Sequence, residues 1–146
     1  ELNIYGTGEL KNELTKQIHK EGLHNNITIH PPTPNIYQEM KNSSIFAFPS
    51  RYEGFGLILI EAMTNGIPCV SFDCPYGPSD IITNGEDGFL ITNGDIQVMA
   101  DKICYLIENE DFRKQMGQKA HQSAMRYAPE NIMPMWEKLL NEIINV

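Results

Sequence analysis

The run Ile45-Phe-Ala-Phe-Pro-Ser-Arg-Tyr-Glu-Gly-Phe-Gly-Leu-Ile-Leu-Ile-Glu-Ala-Met-Thr-Asn-Gly-Ile-Pro-Cys-Val-Ser-Phe72 reads as strand, loop, helix, strand. Ile45–Phe48 is short and apolar, as a buried parallel strand is. A helix from about Gly56 to Asn65 follows, with Gly66 as its natural C-cap. Ile67 to Phe72 returns as the next strand. From Leu57 to Met63 this helix is wholly apolar except for Glu61. Such a helix is normally buried, and a buried carboxylate without a partner is expensive. Glu61 is therefore expected to have one. Glu53 precedes the same helix, eight positions earlier. Between the two acids, Gly54 and Gly56 let an anion approach the backbone amides of a helix start.

The rest of the chain repeats this alternation and predicts an α/β fold with a parallel sheet. Leu2–Tyr5 is strand-like, and Gly6-Thr-Gly8 makes a plain turn that lacks the third glycine of a dinucleotide fingerprint. Leu10, Leu14 and Ile18 mark a helix that Gly22 ends, and Ile27 and Ile29 alternate in a strand. Pro31-Pro-Thr-Pro34 is a loop. Asn35 and Gln38 suggest a capping box for a short helix through Met40. After a loop through Cys74-Pro-Tyr-Gly-Pro78, Ser79 is expected to cap a turn of helix at Asp80–Ile82. Asn84–Gly88 is turn chemistry before the strand Phe89–Ile91. Asp95 and Asp111 read as N-caps of two helices ending near Asn109 and Tyr127. A last amphipathic helix, Asn131–Ile144, carries Trp136 on an apolar packing face.

A chain of 146 residues with 41% apolar residues suffices for one domain with a core. Its net charge of −8 argues against nucleic acid or an anionic membrane as partner. It leaves room for a nucleotide, because a helix start acts locally. Cys69, Cys74 and Cys104 form no CxxC pair, and the four histidines add no zinc spacing. A reducing cytoplasm is the simplest compartment. No apolar run approaches the ~20 residues that span a bilayer, and no signal peptide is legible. The opening Glu1-Leu-Asn-Ile-Tyr5 already reads as a strand, with no initiator methionine. It suggests a domain excised from a longer protein.

Chemistry is expected where Glu53 lies outside the carboxyl end of a parallel strand, the place where open α/β sheets bind ligands. The amides of Gly54 to Ile58 would be free to hold a pyrophosphate, and Glu61 could accept hydrogen bonds from two adjacent ribose hydroxyls. Spacing alone leaves another reading open, with Glu53 as a helix-terminal charge and Glu61 as a surface acid. Asp80 and Glu86 can be explained as cap and turn residues, His30 as a rim residue, and Cys69 and Cys74 as packing or loop residues.

The wording of the chain decides further. Pro49-Ser-Arg-Tyr-Glu-Gly-Phe-Gly56, Glu61-Ala-Met63, Gly66-Ile-Pro68 and Asn84-Gly-Glu-Asp-Gly-Phe-Leu90 resemble the E-x7-E signature and flanking motifs of family-four (group 1) retaining glycosyltransferases. The tail around Trp136-Glu-Lys-Leu resembles them too, and Phe72–Ile82 is similar to bacterial members that build capsule, lipopolysaccharide or other surface glycans. The resemblance implies half of a GT-B enzyme, the Rossmann-like donor-binding domain spanning residues 1–146, with the N-terminal acceptor domain absent. It implies that Glu53 faces the donor sugar as the catalytic residue. Gly54, Phe55, Gly56, Leu57 and Ile58 would bind sugar and diphosphate, and Glu61 the ribose. Thr33, Pro34 and Ile36 would lie at the base, although the family often has glycine where Pro31 stands.

The donor would be a nucleotide diphosphate sugar, UDP-linked, carrying a hexose or N-acetylhexosamine, and no metal or other cofactor is implied. The acceptor would be a glycan or lipid-linked molecule, at the inner face of the cell membrane in the full-length protein. The family's phosphate-binding Arg and Lys precede Glu1, leaving Arg51 the cation nearest the motif. The chain alone is then expected to be inactive. Rival readings are a non-catalytic nucleotide-sugar-binding module and a sugar-nucleotide epimerase of the same architecture.

Overall fold

The computed structural model describes residues 1–144, which divide between two compact units, Glu1–Ile36 and Tyr37 onward. The class is the α/β, Rossmann-like one expected, with parallel strands flanked by helices. In the first unit, β1 (Leu2–Tyr5) pairs in parallel with β2 (Ile27–His30), in the register Leu2↔Ile27 to Tyr5↔His30. Helix α1 (Lys11–Lys20) connects them. Gly22 ends it as anticipated, with the Leu23 amide reaching back to the Ile18 carbonyl (2.9 Å). No side chain of this unit is fully buried.

The second unit holds the core. After α2 (Ile36–Lys41) come β3 (Phe46–Phe48), α3 (Leu57–Thr64), β4 (Cys69–Asp73), α4 (Pro78–Ile81) and β5 (Gly88–Thr92). The three strands form one parallel sheet in the order β3-β4-β5. β4 is central and almost wholly buried, as a strand covered on both faces should be. β3 is half-buried at the edge and starts at Phe46, one residue later than its apolar run suggested. Helices α5 (Ile96–Glu108) and α6 (Glu110–Ala124), a 3-10 turn (Met125–Tyr127) and α7 (Pro129–Ile144) complete the chain. The core gathers Val70 and Phe72 from β4, Phe89 and Ile91 from β5, Met99 and Leu106 from α5, and Met116 from α6.

Two packing details hold α3 in place. A Cβ on Gly117 would lie 2.2 Å from the Gly66 carbonyl oxygen, so only glycine lets α6 come this close. Beside it, His121 Nδ1 donates to the Thr64 carbonyl at the end of α3 (2.7 Å).

Several local expectations change. Asp95 caps α5 as read, accepting the Val98 amide through Oδ1 (3.0 Å), a bond of the kind worth about 1 kcal/mol. Asp111 does not cap α6. The helix starts one residue earlier at Glu110, and Asn109 precedes it without a side-chain cap bond. Ser79 does not cap α4, because Pro78 already occupies its first position and Gly77 its N-cap. In place of an Asn35–Gln38 capping box, the Thr33 hydroxyl accepts the Asn35 amide (3.1 Å). The last helix begins at Pro129, and the packing face read for it is uncovered. α7 has no buried residue, and Met133, Met135, Trp136, Leu139, Leu140 and Ile143 are all exposed.

Candidate active site

Because β3, β4 and β5 run parallel, their carboxyl ends lie along one edge of the sheet. The three loops leaving that edge are tied to one another. Phe48 leads into the Pro49–Gly56 loop that carries Glu53. The Asn93 amide nitrogen, just past β5, donates to the Arg51 carbonyl (3.1 Å). The Cys74–Gly77 turn after β4 presses on the same loop, since a Cβ on Gly77 would fall 1.8 Å from the Phe55 carbonyl oxygen. Gly77 also sits at φ 107°, which L side chains rarely adopt.

Glu53 is half-buried, and its carboxylate Oε1 accepts the Ser50 hydroxyl at 2.6 Å. The Ser50 oxygen is also 3.0 Å from the Tyr52 carbonyl. Ser50 thereby orients the carboxylate and braces its loop. The acid is felt by its surroundings. Burial first, and the Glu53 carboxylate second, raise the Cys74 thiol pKa above its ordinary value.

Helix α3 begins where the loop ends. Gly56 is its N-cap in the left-handed conformation (φ 85°), a turn that glycine makes without penalty. Among the described residues, no protein acceptor pairs with the amides of Gly54, Phe55, Gly56, Leu57 or Ile58, and the first bond closing the helix runs from Leu59 N–H to the Gly56 carbonyl (2.9 Å). A row of unpaired donors at a helix start is an anion-binding arrangement. Glu53 lies beside it, where hydroxyl groups rather than further negative charge would have to meet it.

Glu61 corrects the sequence reading. Only Leu59, Ala62 and Met63 of α3 are buried, while Leu57 is 65% exposed and Glu61, one turn later on the same face, is exposed too. A short helix packed on one side can be apolar all round and still leave a face in water. The cost of a buried charge therefore does not arise, and the acid needs no protein partner.

The remaining candidates divide. Arg51 is exposed, and its carbonyl is the group held by Asn93. Asp80 engages the protein through its backbone, the carbonyl accepting Arg126 Nη2 (2.8 Å) and the Tyr127 hydroxyl (2.9 Å). Glu86 is exposed in the Thr83–Gly88 turn, whose buried acid is instead Asp87, accepting the Thr83 amide at 2.7 Å. Thr33, Pro34 and Ile36 belong to the first unit, in the loop after β2 and at the start of α2. His30 lies at the end of β2, bonded through Nε2 to Asn3 Oδ1 (2.8 Å) and stacked on Tyr5.

Sequence reading missed the supports of the site. Arg126 also donates to the Ile81 carbonyl (2.7 Å), and the Tyr127 ring stands edge-on to Phe55 at 5.9 Å. The turn after α6 thus braces both α4 and the Glu53 loop. The Gly77-Pro78 pair was a visible turn signal, but nothing local to Arg126-Tyr127 showed which carbonyls they would reach. A hollow along α7, lined by Pro134, Glu137, Lys138, Asn141 and Glu142, draws on a single helix and lies on a different element from the acids.

The cysteines have no catalytic setting. Cys69 and Cys74 are buried and Cys104 is exposed. Burial, then the Asp87 carboxylate, push the Cys69 thiol pKa far above the usual range. At neutral pH, a chromogenic disulfide reagent should therefore label Cys104 rapidly in the native chain. The other two thiols should react only after denaturation, because the thiolate is the reactive form. Rapid native labelling of all three thiols would contradict this burial.

Residues 1–123 match the family described as Glycosyl transferases group 1. The chain is 36% identical over 141 residues to the poly(ribitol-phosphate) alpha-N-acetylglucosaminyltransferase of Staphylococcus aureus (strain COL), covering 96% of this chain and 29% of that protein. It is also 36% identical over 140 residues to the amylovoran biosynthesis glycosyltransferase AmsD of Erwinia amylovora, covering 96% of this chain and 39% of that one. Among solved structures, the pneumococcal O-GlcNAc transferase GtfA in complex with UDP and GlcNAc superposes with a TM-score of 0.86 at 28% identity, over 99% of this chain and 29% of that one. The chain thus spans well under half the length of these relatives. With that family match running over residues 1–123 of 146, the chain belongs to the group 1 glycosyl transferases.

Proposed function

We propose that this chain is the donor-binding half of a retaining glycosyltransferase that moves a hexose or N-acetylhexosamine from a nucleotide diphosphate sugar to a surface-polysaccharide acceptor. The observation carrying this reading is the unpaired amide row Gly54–Ile58 beside the Ser50-oriented carboxylate of Glu53. The amides suit the diphosphate, and the carboxylate suits the sugar hydroxyls and the positive charge that develops at the anomeric carbon. Glu61, one exposed turn further along α3, is free to accept the ribose hydroxyls. Thr33, Pro34 and Ile36 are proposed to meet the base, and Arg51 to lie near the phosphates. The UDP and GlcNAc held by the pneumococcal relative favour a UDP-linked donor. The surface-polymer names of the relatives favour a glycan or lipid-linked acceptor.

A thermal-shift screen of nucleotide sugars against the full-length protein tests this. A donor at 100 times its Kd should stabilise by about 2.7 kcal/mol, and one nucleotide diphosphate sugar should stand out. If none raises the melting temperature, the donor assignment fails. In the same assay series, the purified chain alone should show no multiple-turnover transfer, because the facing wall of the cleft would be missing.

A further inference from the structure

Two tyrosines at the tips of the loops leaving β3 and β4 are left over from both the core and the donor site. Tyr52 is 70% exposed and Tyr76 66%. Single exposed aromatics are ordinary, but these two form a pair, edge to face with centroids 6.4 Å apart and planes at 85°. Their backbones hold them there. Tyr76 is the one non-glycine at positive φ among the described residues (66°), a conformation few residues with a Cβ adopt. Gly77 then clamps that turn against the Phe55 carbonyl. Tyr52 is fixed on its other side through Ser50 and through the Arg51 carbonyl held by Asn93.

Tyr52 brings the pair to Glu53, since it is next to the acid in the chain and Tyr76 packs on its ring. Tyr52 precedes the acid directly, and Cys74, two residues before Tyr76, lies within reach of its charge. The amide row belongs to the backbone at the start of α3, whereas the rings stand at the solvent rim. A rigid aromatic surface with a hydroxyl at its tip, next to a carboxylate, suits a pyranose ring, which has a C–H face and a hydroxyl edge. We propose that Tyr52 and Tyr76 form the wall on which the acceptor sugar rests as it approaches Glu53, so that this chain itself contributes to acceptor choice. The proposal rests on the donor-binding reading above.

The test uses the full-length enzyme with Tyr52→Ala, Tyr76→Ala and the two Tyr→Phe variants. Acceptor and donor are varied separately, and donor hydrolysis is followed without acceptor. The Ala variants should raise the acceptor KM about three- to tenfold, the span of an aromatic contact. Donor KM and donor hydrolysis should stay within twofold, and the Phe variants should resemble wild type. A rise in donor KM would place the rings in the donor site and overturn the proposal. An unchanged acceptor KM would overturn it as well. Phe variants as impaired as Ala would assign the effect to the hydroxyls and overturn stacking. If wild type neither hydrolyses a nucleotide sugar nor is stabilised by one, the donor reading itself has failed, and these variants play no part in that result.

Discussion

Gly77→Ala is expected to lose stability on the order of 3–5 kcal/mol, one of the largest losses available to a single methyl group here. Two independent penalties meet at this residue. Its φ of 107° lies where L side chains are rarely found, and holding one there costs ~1–3 kcal/mol. The added Cβ would also fall 1.8 Å from the Phe55 carbonyl oxygen and 2.4 Å from its carbon. Both are backbone atoms, so no rotamer change relieves the overlap, and either the Cys74–Gly77 turn or the Glu53 loop has to move. Total stabilities of ~5–15 kcal/mol leave little room for such a loss. Gly85→Ala is the control, since Gly85 also has positive φ (80°) but nothing within 4 Å of its Cβ position. It should cost only about 1 kcal/mol. Urea midpoints of the two variants separate the effects. Equal midpoints would mean that the close approach at Phe55 adds nothing.

Gly77 also illustrates what was legible in the sequence. The apolar runs around Val70 and Phe89 gave their strands, because a parallel strand covered on both faces writes its burial directly into composition. Those around Ile4, Ile29 and Phe46 were short enough to read as strands, although their residues are exposed or half-buried. The helix of Leu57–Thr64 was equally legible, since Gly56 and Gly66 bracket it. Its environment was not. Periodicity cannot show how many sides of a short helix will be covered, and Glu61 is exposed because α3 packs through Leu59, Ala62 and Met63 alone. The capping signals of Ser79 and Asp111 failed for a related reason. Pro78 and Glu110 are good first-turn residues and begin their helices earlier. Least legible were the ties of Asn93, Arg126 and Tyr127, which reach carbonyls 42 to 47 residues away. Contacts at that separation leave no local pattern, yet Asn93 ties down the loop that carries Glu53, and Arg126 and Tyr127 tie down α4.

If Glu53 faces the donor sugar as proposed, Glu53→Gln in the full-length protein is expected to lower kcat by about 10²–10³, the range seen when one preorganised electrostatic group is lost from an active site. The substitution keeps shape and can still accept the Ser50 hydroxyl now bonded to Oε1, so the loop should stay in place and only the charge is removed. A charge that acts on the developing positive centre matters more in the transition state than in the bound donor. Donor KM and the donor-induced thermal shift should therefore remain near wild type. Glu61→Gln should show the opposite division. If Glu61 accepts the ribose hydroxyls as proposed, it contributes charge-assisted bonds of ~1.5–3 kcal/mol, and these bonds exist before and during transfer alike. Its loss should weaken donor binding roughly ten- to a hundredfold while kcat changes little. Both variants keep the backbone amides of Gly54 to Ile58, so a ligand without the donor sugar, such as the free nucleoside diphosphate, should still bind Glu53→Gln as tightly as wild type. If the Glu53→Gln enzyme transfers sugar at the wild-type rate, Glu53 is a helix-terminal charge and the catalytic carboxylate lies elsewhere in the enzyme. If instead the full-length wild type binds a nucleotide sugar but transfers nothing to any acceptor, the family's fold has been kept here as a binding module.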